Sequence, residues 1–269
     1  MREQRIYRTE AIVLRERDYG EADRILTLLT PLGKLTALAK GIRRPTSHKA
    51  GQLGLFFRSR LLLARGRTFQ IVSQAESLEE YEGLRASLER FTYACYAAEL
   101  VDRFAQEGEE NEPLYALMAD GLRWCAQEAD LSLWMRFFEL RLLSLSGYQP
   151  QFFQCTTCAE PLQAVPNFFS SEHGGVLCPR CGAGQAGARR VSLNAQKVLR
   201  FLMTHPPVEV RGLRLLEATQ REVEALLKGY MEHVLERDLH SVDLIQRLRR
   251  ELQDSAGAAS PAPAPPDER

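Results

Sequence analysis

Between Arg24 and Ala75 the sequence contains no aspartate and no glutamate. Across the whole chain 35 basic and 35 acidic residues cancel, and 26% of positions are charged. An acid-free run of 52 residues is therefore improbable by composition, and it holds ten cations: Arg24, Lys34, Lys40, Arg43, Arg44, Lys49, Arg58, Arg60, Arg65 and Arg67. Other absences narrow the class. No uninterrupted apolar run approaches the ~18 residues of a membrane helix, so no spanning segment is expected. The first ten residues, MREQRIYRTE, lack the apolar stretch of a secretory signal, so a cytoplasmic setting is expected, in which paired thiols bind metal rather than form disulfides. No GxxxxGK[ST], GxGxxG, GxSxG or HExxH pattern occurs, and the five histidines are scattered without common spacing. Those motifs carry phosphate cradles, nucleophiles and catalytic metals, so a function without bond-making chemistry is expected.

The neutral total conceals a division. Residues 1–70 carry 15 Lys/Arg against 6 Asp/Glu, whereas residues 71–154 carry 6 against 15. A one-signed surface attracts a polyanion, and phosphate backbones are the commonest such partner. The acidic segment reads as a solvated body or as a surface for a basic partner.

Five short segments rich in β-formers precede residue 77: Thr9–Arg17, Ala22–Thr30, Lys34–Lys40, Leu55–Ala64 and Thr68–Ala75. Pro31-Leu32-Gly33 and Arg65-Gly66-Arg67 are turn signals between them. Five strands of this length suit a small closed barrel of the OB or SH3-like kind, with size favouring OB. Beyond Ser77 the apolar spacing becomes helical over Leu78–Ser87, Leu88–Gln106, Glu112–Gln127 and Leu131–Ser146, with Asn111 and Asp130 as N-caps and Pro113 in a first turn. The aromatic set Phe91, Tyr93, Tyr96, Phe104, Trp124, Trp134, Phe137 and Phe138 reads as a bundle core. A non-helical insert follows, and helices resume at Leu193–Thr204, Thr219–Leu239 and Ser241–Gln253, the second opened by a capping box at Thr219 and Glu222. The expected layout is α+β. Residues 1–77 form a five-stranded OB-fold barrel that binds nucleic acid, and 78–253 form a helical domain carrying a zinc-finger insert at 148–190. The Ala/Pro/Ser segment 254–269 cannot bury enough apolar surface to order itself.

Two sites stand out. Cys155-Thr-Thr-Cys158 and Cys178-Pro-Arg-Cys181 give the spacing C-x2-C-x19-C-x2-C, that of a closed four-thiolate zinc site. Two intervening residues let each pair turn back on one ion, and Gly174, Gly175 and Gly182 permit the tight turns. The ion would be structural, holding an insert expected to lack a core of its own. His173 reads as a surface residue, and Cys95 and Cys125 as packing residues. The second site is the loop Lys40-Gly-Ile-Arg43-Arg44-Pro-Thr-Ser-His48-Lys49, four cations and two hydroxyls within ten residues, a composition that can follow a phosphate backbone. Lys34, Lys40, Arg43, Arg44 and Lys49 are the expected phosphate contacts. Phe56, Phe57 and Phe69 either fill the barrel core, the preferred reading, or stack on bases. Glu16, Asp18, Glu21 and Asp23 around Tyr19-Gly20 read as a polar turn with Asp23 paired to Arg24, rather than as a metal cluster for a nuclease.

Taken in order, Ala11-Ile-Val-Leu14, Asp18-Tyr-Gly-Glu-Ala-Asp-Arg24, Thr30-Pro-Leu-Gly-Lys34, Ala39-Lys-Gly-Ile-Arg-Arg44, Arg65-Gly-Arg67, Gln74-Ala-Glu76 and Leu142–Gly147 ahead of the cysteine quartet resemble the RecO family of bacterial recombination mediators. The resemblance spans roughly residues 5–250. It implies an OB-fold, a helical C-terminal domain with a zinc finger, and binding to single- and double-stranded DNA with annealing of complementary strands. It further implies cooperation with RecR, and with RecF, in loading RecA onto DNA coated by single-strand-binding protein (SSB). Zinc is not universal among such proteins, but all four cysteines are present here. The alternative is a protein–protein adaptor whose DNA contact is secondary.

Overall fold

The computed structural model describes residues 6–236 together with 245, 247, 248, 250 and 251. The segment 254–269 and most of the expected helix Ser241–Gln253 lie outside the described residues. Five strands close a barrel: β1 (Ile6–Tyr19), β2 (Asp23–Thr30), β3 (Gly33–Ala39), β4 (Arg58–Arg65) and β5 (Gln70–Glu79), in the order β1-β2-β3-β5-β4. This is the OB arrangement, and β1 makes the closure possible. Its first half, Ile6–Ile12, pairs with β4, and its second half, Ile12–Tyr19, pairs with β2. A register shift between Val13 and Arg15 bends the strand from one partner to the other, as a bulge does. The barrel is thin on one side, where β3 and β5 run parallel and pair only at Ala37–Gln70 and Leu38–Ile71.

The continuous apolar run Ala11–Leu14 has a physical reason. Ala11 and Val13 point into the barrel core with Leu26, Leu28, Leu61 and Leu63, while Ile12 and Leu14 point outward into the core of the helical region. A strand buried on both faces loses its polar alternation. Each of Ile12 and Leu14 contributes about 1.5–3 kcal/mol by leaving water, so the barrel and the helices are joined by more than their covalent link.

The helical region begins later than its sequence suggests. Leu78–Ser87 was expected as a helix, but β5 runs on to Glu79, where it pairs with Arg58, and only a 3-10 turn forms at Glu82–Ala86. Tyr81, at φ 47°, breaks the chain direction between them. Helices α1 (Leu88–Phe104), α2 (Glu112–Gln127) and α3 (Leu131–Leu145) follow, and the caps at Asn111 and Asp130 each accept a backbone N–H at 3.0 Å. The aromatic set fills their core, with Trp124 and Trp134 stacked at 4.8 Å between ring centres. Within this core Glu139 accepts hydrogen bonds from Arg136 and from Tyr96, both at 2.7 Å.

The insert carries a three-stranded sheet in the order β7 (Gly175–Leu177), β6 (Asn167–Ser170), β8 (Arg189–Val191), with the short helix α4 (Pro179–Gly182). It does not lack a core: Phe152, Phe169, Val176, Leu177 and Val191 are buried in the same cluster as the helices, and the Phe169 ring meets Tyr230 edge-on at 5.5 Å. Helices α5 (Leu193–Thr204), α6 (Pro207–Val210) and α7 (Glu217–Leu235) follow. The capping box expected at Thr219 does not form. Helix α7 already starts at Glu217, Thr219 is buried within it, and the Glu222 carboxylate accepts the N–H and the hydroxyl of Ser192 at 2.6 Å, closing the start of α5 instead. Its partner lies thirty residues away, beyond any local pattern.

Candidate nucleic-acid interface and metal centre

The acid-free run is not an acid-free surface, because β-pairing brings carboxylates to it from both sides. Arg58 meets Glu10 at 2.9 Å and Glu79 at 3.5 Å; Arg60 meets Glu76 at 3.0 Å. Arg24 meets Glu16 at 3.0 Å and Asp18 at 3.1 Å, so its partners are across the hairpin rather than the adjacent Asp23. These are cross-strand pairs of the ordinary kind. What remains positive is narrower than the sequence implies.

It is concentrated in the connection between β3 and β4. Gly41, at φ +65°, donates its N–H to Asp23 Oδ1 at 2.7 Å, and the Arg43 N–H reaches the Ala22 carbonyl at 2.9 Å. Ile42 and Leu53 are buried in the barrel core, and Gln52 holds Ser59 Oγ and the Ser77 N–H, both at 2.7 Å. Successive turns join Arg44 to Gly41, Ser47 to Arg44 and Ala50 to Ser47. The loop is thus a fixed shelf: apolar residues plug the barrel while charged ones face out. The side chains of Lys40 and Arg44 are exposed and meet no hydrogen-bond or ion-pair partner among the described residues. Arg43 is exposed and lies 3.3 Å from Asp18. Lys49 donates to the Val72 carbonyl at 3.3 Å, and burial lowers its pKa against the opposing pull of Asp23.

Lys34 stands apart from this shelf. Its ammonium donates to the Asp102 carbonyl and lies 3.1 Å from the Asp102 carboxylate, with only 16% of the side chain exposed, so it ties β3 to α1. Phe56 and Phe57 are core residues, Phe56 against Phe91 at 5.5 Å and Phe57 beneath the Arg85 guanidinium at 4.7 Å. Phe69 is half-buried. Outside the five expected contacts, the side chains of Arg8, Arg17 and Arg67 are also exposed, with no hydrogen-bond or ion-pair partner among the described residues. Arg8 and Arg17 escaped notice because they lie on β1 among acids, and only the pairing register shows which cations those acids take.

The four cysteines converge. Their sulfurs all lie within 4.8 Å of one another, Cys158 and Cys178 at 4.0 Å. The two pairs sit on facing turns: the Ala159 N–H bonds back to the Cys155 carbonyl at 2.8 Å, and the Gly182 N–H to that of Cys178 at 2.8 Å. Gly182 leaves no room for a side chain, since a Cβ there would lie 2.5 Å from Phe168 Cβ. Burial raises the Cys155 thiol, but the backbone N–H groups of Cys158, Cys178 and Thr157 outweigh it and bring the group down to about 6. Cys181 is pushed up to about 12, first by its hydrogen bond to Cys178 and then by desolvation and the other sulfurs. Backbone N–H groups favour the charged form of Cys155, whereas a neighbouring sulfur and burial disfavour that of Cys181. This is the one group of metal-ligating side chains among the described residues, and it can hold a metal ion; His173 is not part of it and faces Ser170 Oγ at 3.0 Å. The acids around Tyr19-Gly20 form no such group.

Two family models match the chain, Recombination protein O N terminal over residues 1–81 and Recombination protein O C terminal over residues 85–243. The chain belongs to the RecO family. A DNA repair protein RecO from Roseiflexus sp. (strain RS-1) is 43% identical over 256 residues, covering 95% of this chain and 90% of its own length. Those of Pelotomaculum thermopropionicum and Desulforudis audaxviator are 40% and 42% identical, over 94% and 90% of this chain and 99% and 97% of theirs. The RecO models thus meet between the end of β5 and the start of α1, where the barrel gives way to helices. No described helix is long and apolar enough to cross a membrane.

Proposed function

We propose that this chain is a DNA-binding recombination mediator in DNA repair by the RecF pathway. It binds single- and double-stranded DNA through its barrel, anneals complementary strands, and with RecR helps load RecA onto single strands coated by SSB. The mechanism needs no bond-making step. Lys40, Arg43, Arg44 and Lys49 neutralise phosphates along the fixed shelf, lowering the repulsion between two strands so that bases meet. The carrying observation is that shelf: cations without partners or only lightly paired, on a loop whose backbone is fixed by the barrel. Lys34 is committed to Asp102 and serves the junction between barrel and helices. Contacts to backbone rather than base edges imply weak sequence preference and strong salt dependence. Binding of labelled single strands and duplexes, followed by anisotropy across a salt series, tests this reading. Affinity that ignores salt would overturn it.

The metal is zinc. Four thiolates around Zn2+ at ~2.3 Å place their sulfurs about 3.8 Å apart, and the 4.0 Å between Cys158 and Cys178 lies close to that value. Cys155, Cys158, Cys178 and Cys181 would hold it with no open position, so its contribution is to fix the two turns of the insert.

A further inference from the structure

Pro179 and Arg180 separate the last two cysteines, and the turn that carries them is fixed. Pro179 opens the four-residue helix α4, and the Cys181 N–H reaches the Cys178 carbonyl at 3.1 Å. Arg180 is exposed, and no carboxylate pairs with it among the described residues. Its guanidinium turns back on the cluster instead and donates to the sulfurs of Cys158 and Cys181. One of these belongs to each turn, so the side chain bridges the two halves of the site. The backbone serves the buried sulfur. Cys155 receives the Cys178 N–H at 3.3 Å, together with the N–H groups of Thr157 and Cys158. Cys158, Cys178 and Cys181 are half-buried, and Arg180 supplies donors to two of them.

We propose that Arg180 is a positioning residue of the metal centre: it bridges Cys158 and Cys181, offsets the negative charge of the ligand set and retains the ion. Four thiolates on a divalent cation leave a net charge of about −2. A guanidinium is always protonated and presents its N–H groups in a rigid fork, so one side chain can serve two acceptors at once. Hydrogen bonds from an ionised donor to thiolates are of the stronger, charge-assisted kind. Groups that hold metal ligands from outside the coordination shell contribute about 10–100-fold to metal affinity. Phe152, Phe169 and Val176 keep the insert on the helices without help from Arg180, so its removal acts on the metal rather than on the fold. The inference rests on the zinc reading above and adds a residue to it that is not a ligand.

The test compares full-length wild type, Arg180→Ala, Arg180→Lys and Arg190→Ala, each loaded with zinc, in competition against a colorimetric chelator. Arg190 is an exposed cation on β8 of the same insert, so its variant removes the same charge and leaves the bridge in place. Arg180→Ala is expected to bind zinc about 10–100-fold more weakly, with Arg180→Lys recovering part of the loss and Arg190→Ala near wild type. Cobalt in place of zinc gives a second readout. A sulfur without its donor holds its electrons less tightly, so the sulfur-to-cobalt charge-transfer band of Arg180→Ala should move to longer wavelength. Circular dichroism of the loaded proteins checks that the fold is unchanged. Zinc affinity of Arg180→Ala no weaker than that of Arg190→Ala overturns the proposal. A wild type that binds no zinc would instead refute the metal reading beneath it.

Discussion

Replacing Lys40, Arg43 and Arg44 together by Ala removes the outward charge of the shelf while leaving its anchors in place. Gly41, Ile42 and the backbone bonds to Ala22 and Asp23 do not involve the three side chains. The side chains are exposed, so stability should change by no more than about 0.5 kcal/mol per site, with Arg43 also giving up its surface pair with Asp18. The DNA effect is larger and has a distinct form. Each phosphate neutralised contributes about 0.7 to the slope of log K against log salt for a single strand. Loss of three contacts should therefore flatten the slope by about 2, so that a fourfold rise in salt costs the variant roughly 20-fold less affinity than it costs the wild type. Fluorescence anisotropy across a salt series measures the slope, and a melting curve checks the fold. A well-folded triple variant with unchanged slope would refute the shelf as the phosphate-binding element.

Other expectations concern the parts around the shelf. Lys34→Met should leave the salt slope unchanged and destabilise the fold by about 1–3 kcal/mol, because Asp102 loses its hydrogen bonds from Lys34 and keeps only the longer contact with Arg15 at 3.6 Å; a flattened slope with an unchanged melting temperature would place Lys34 on DNA instead. The wild-type protein should carry close to one equivalent of zinc by metal analysis, and Cys178→Ser should lose it and melt earlier while retaining helical circular dichroism, because Phe152, Phe169 and Val176 still pack on the helices. Burial raises Cys125 to about 12 and Cys95 to about 11, so both remain thiols at pH 8 and should resist alkylation until the protein unfolds. With folded values above the ordinary 9, their contribution to stability is complete below pH 9 and declines as pH rises toward 11 and 12, which alkaline melting curves should follow.

The sequence carried the strands and helices well wherever burial is one-sided or a cap is local. Asn111 and Asp130 name their own helix starts, and the cysteine spacing announces a cluster that the structure assembles. It misled where a partner is distant. Glu222 looks like half of a local capping box but bonds Ser192, and Leu78 looks helical but continues a strand because Arg58 lies across from Glu79. The same limit applies to charge. Ten cations without a neighbouring acid suggest a broad basic face, yet Glu10, Glu16, Asp18, Glu76, Glu79 and Asp102 fold onto it from outside the run. The insert was expected to lack a core of its own; only the fold shows Phe152 and Phe169 entering a core built mostly by other segments.

Mediation by this chain means pairing of strands in the presence of SSB. Annealing of complementary oligonucleotides precoated with SSB, followed by strand fluorescence over a salt titration, tests it most directly. The wild type should accelerate annealing at low salt, the gain should fall steeply as salt rises, and the triple shelf variant should lose most of it. Annealing no faster than the spontaneous rate at any salt, with the protein folded and zinc-loaded, would contradict it.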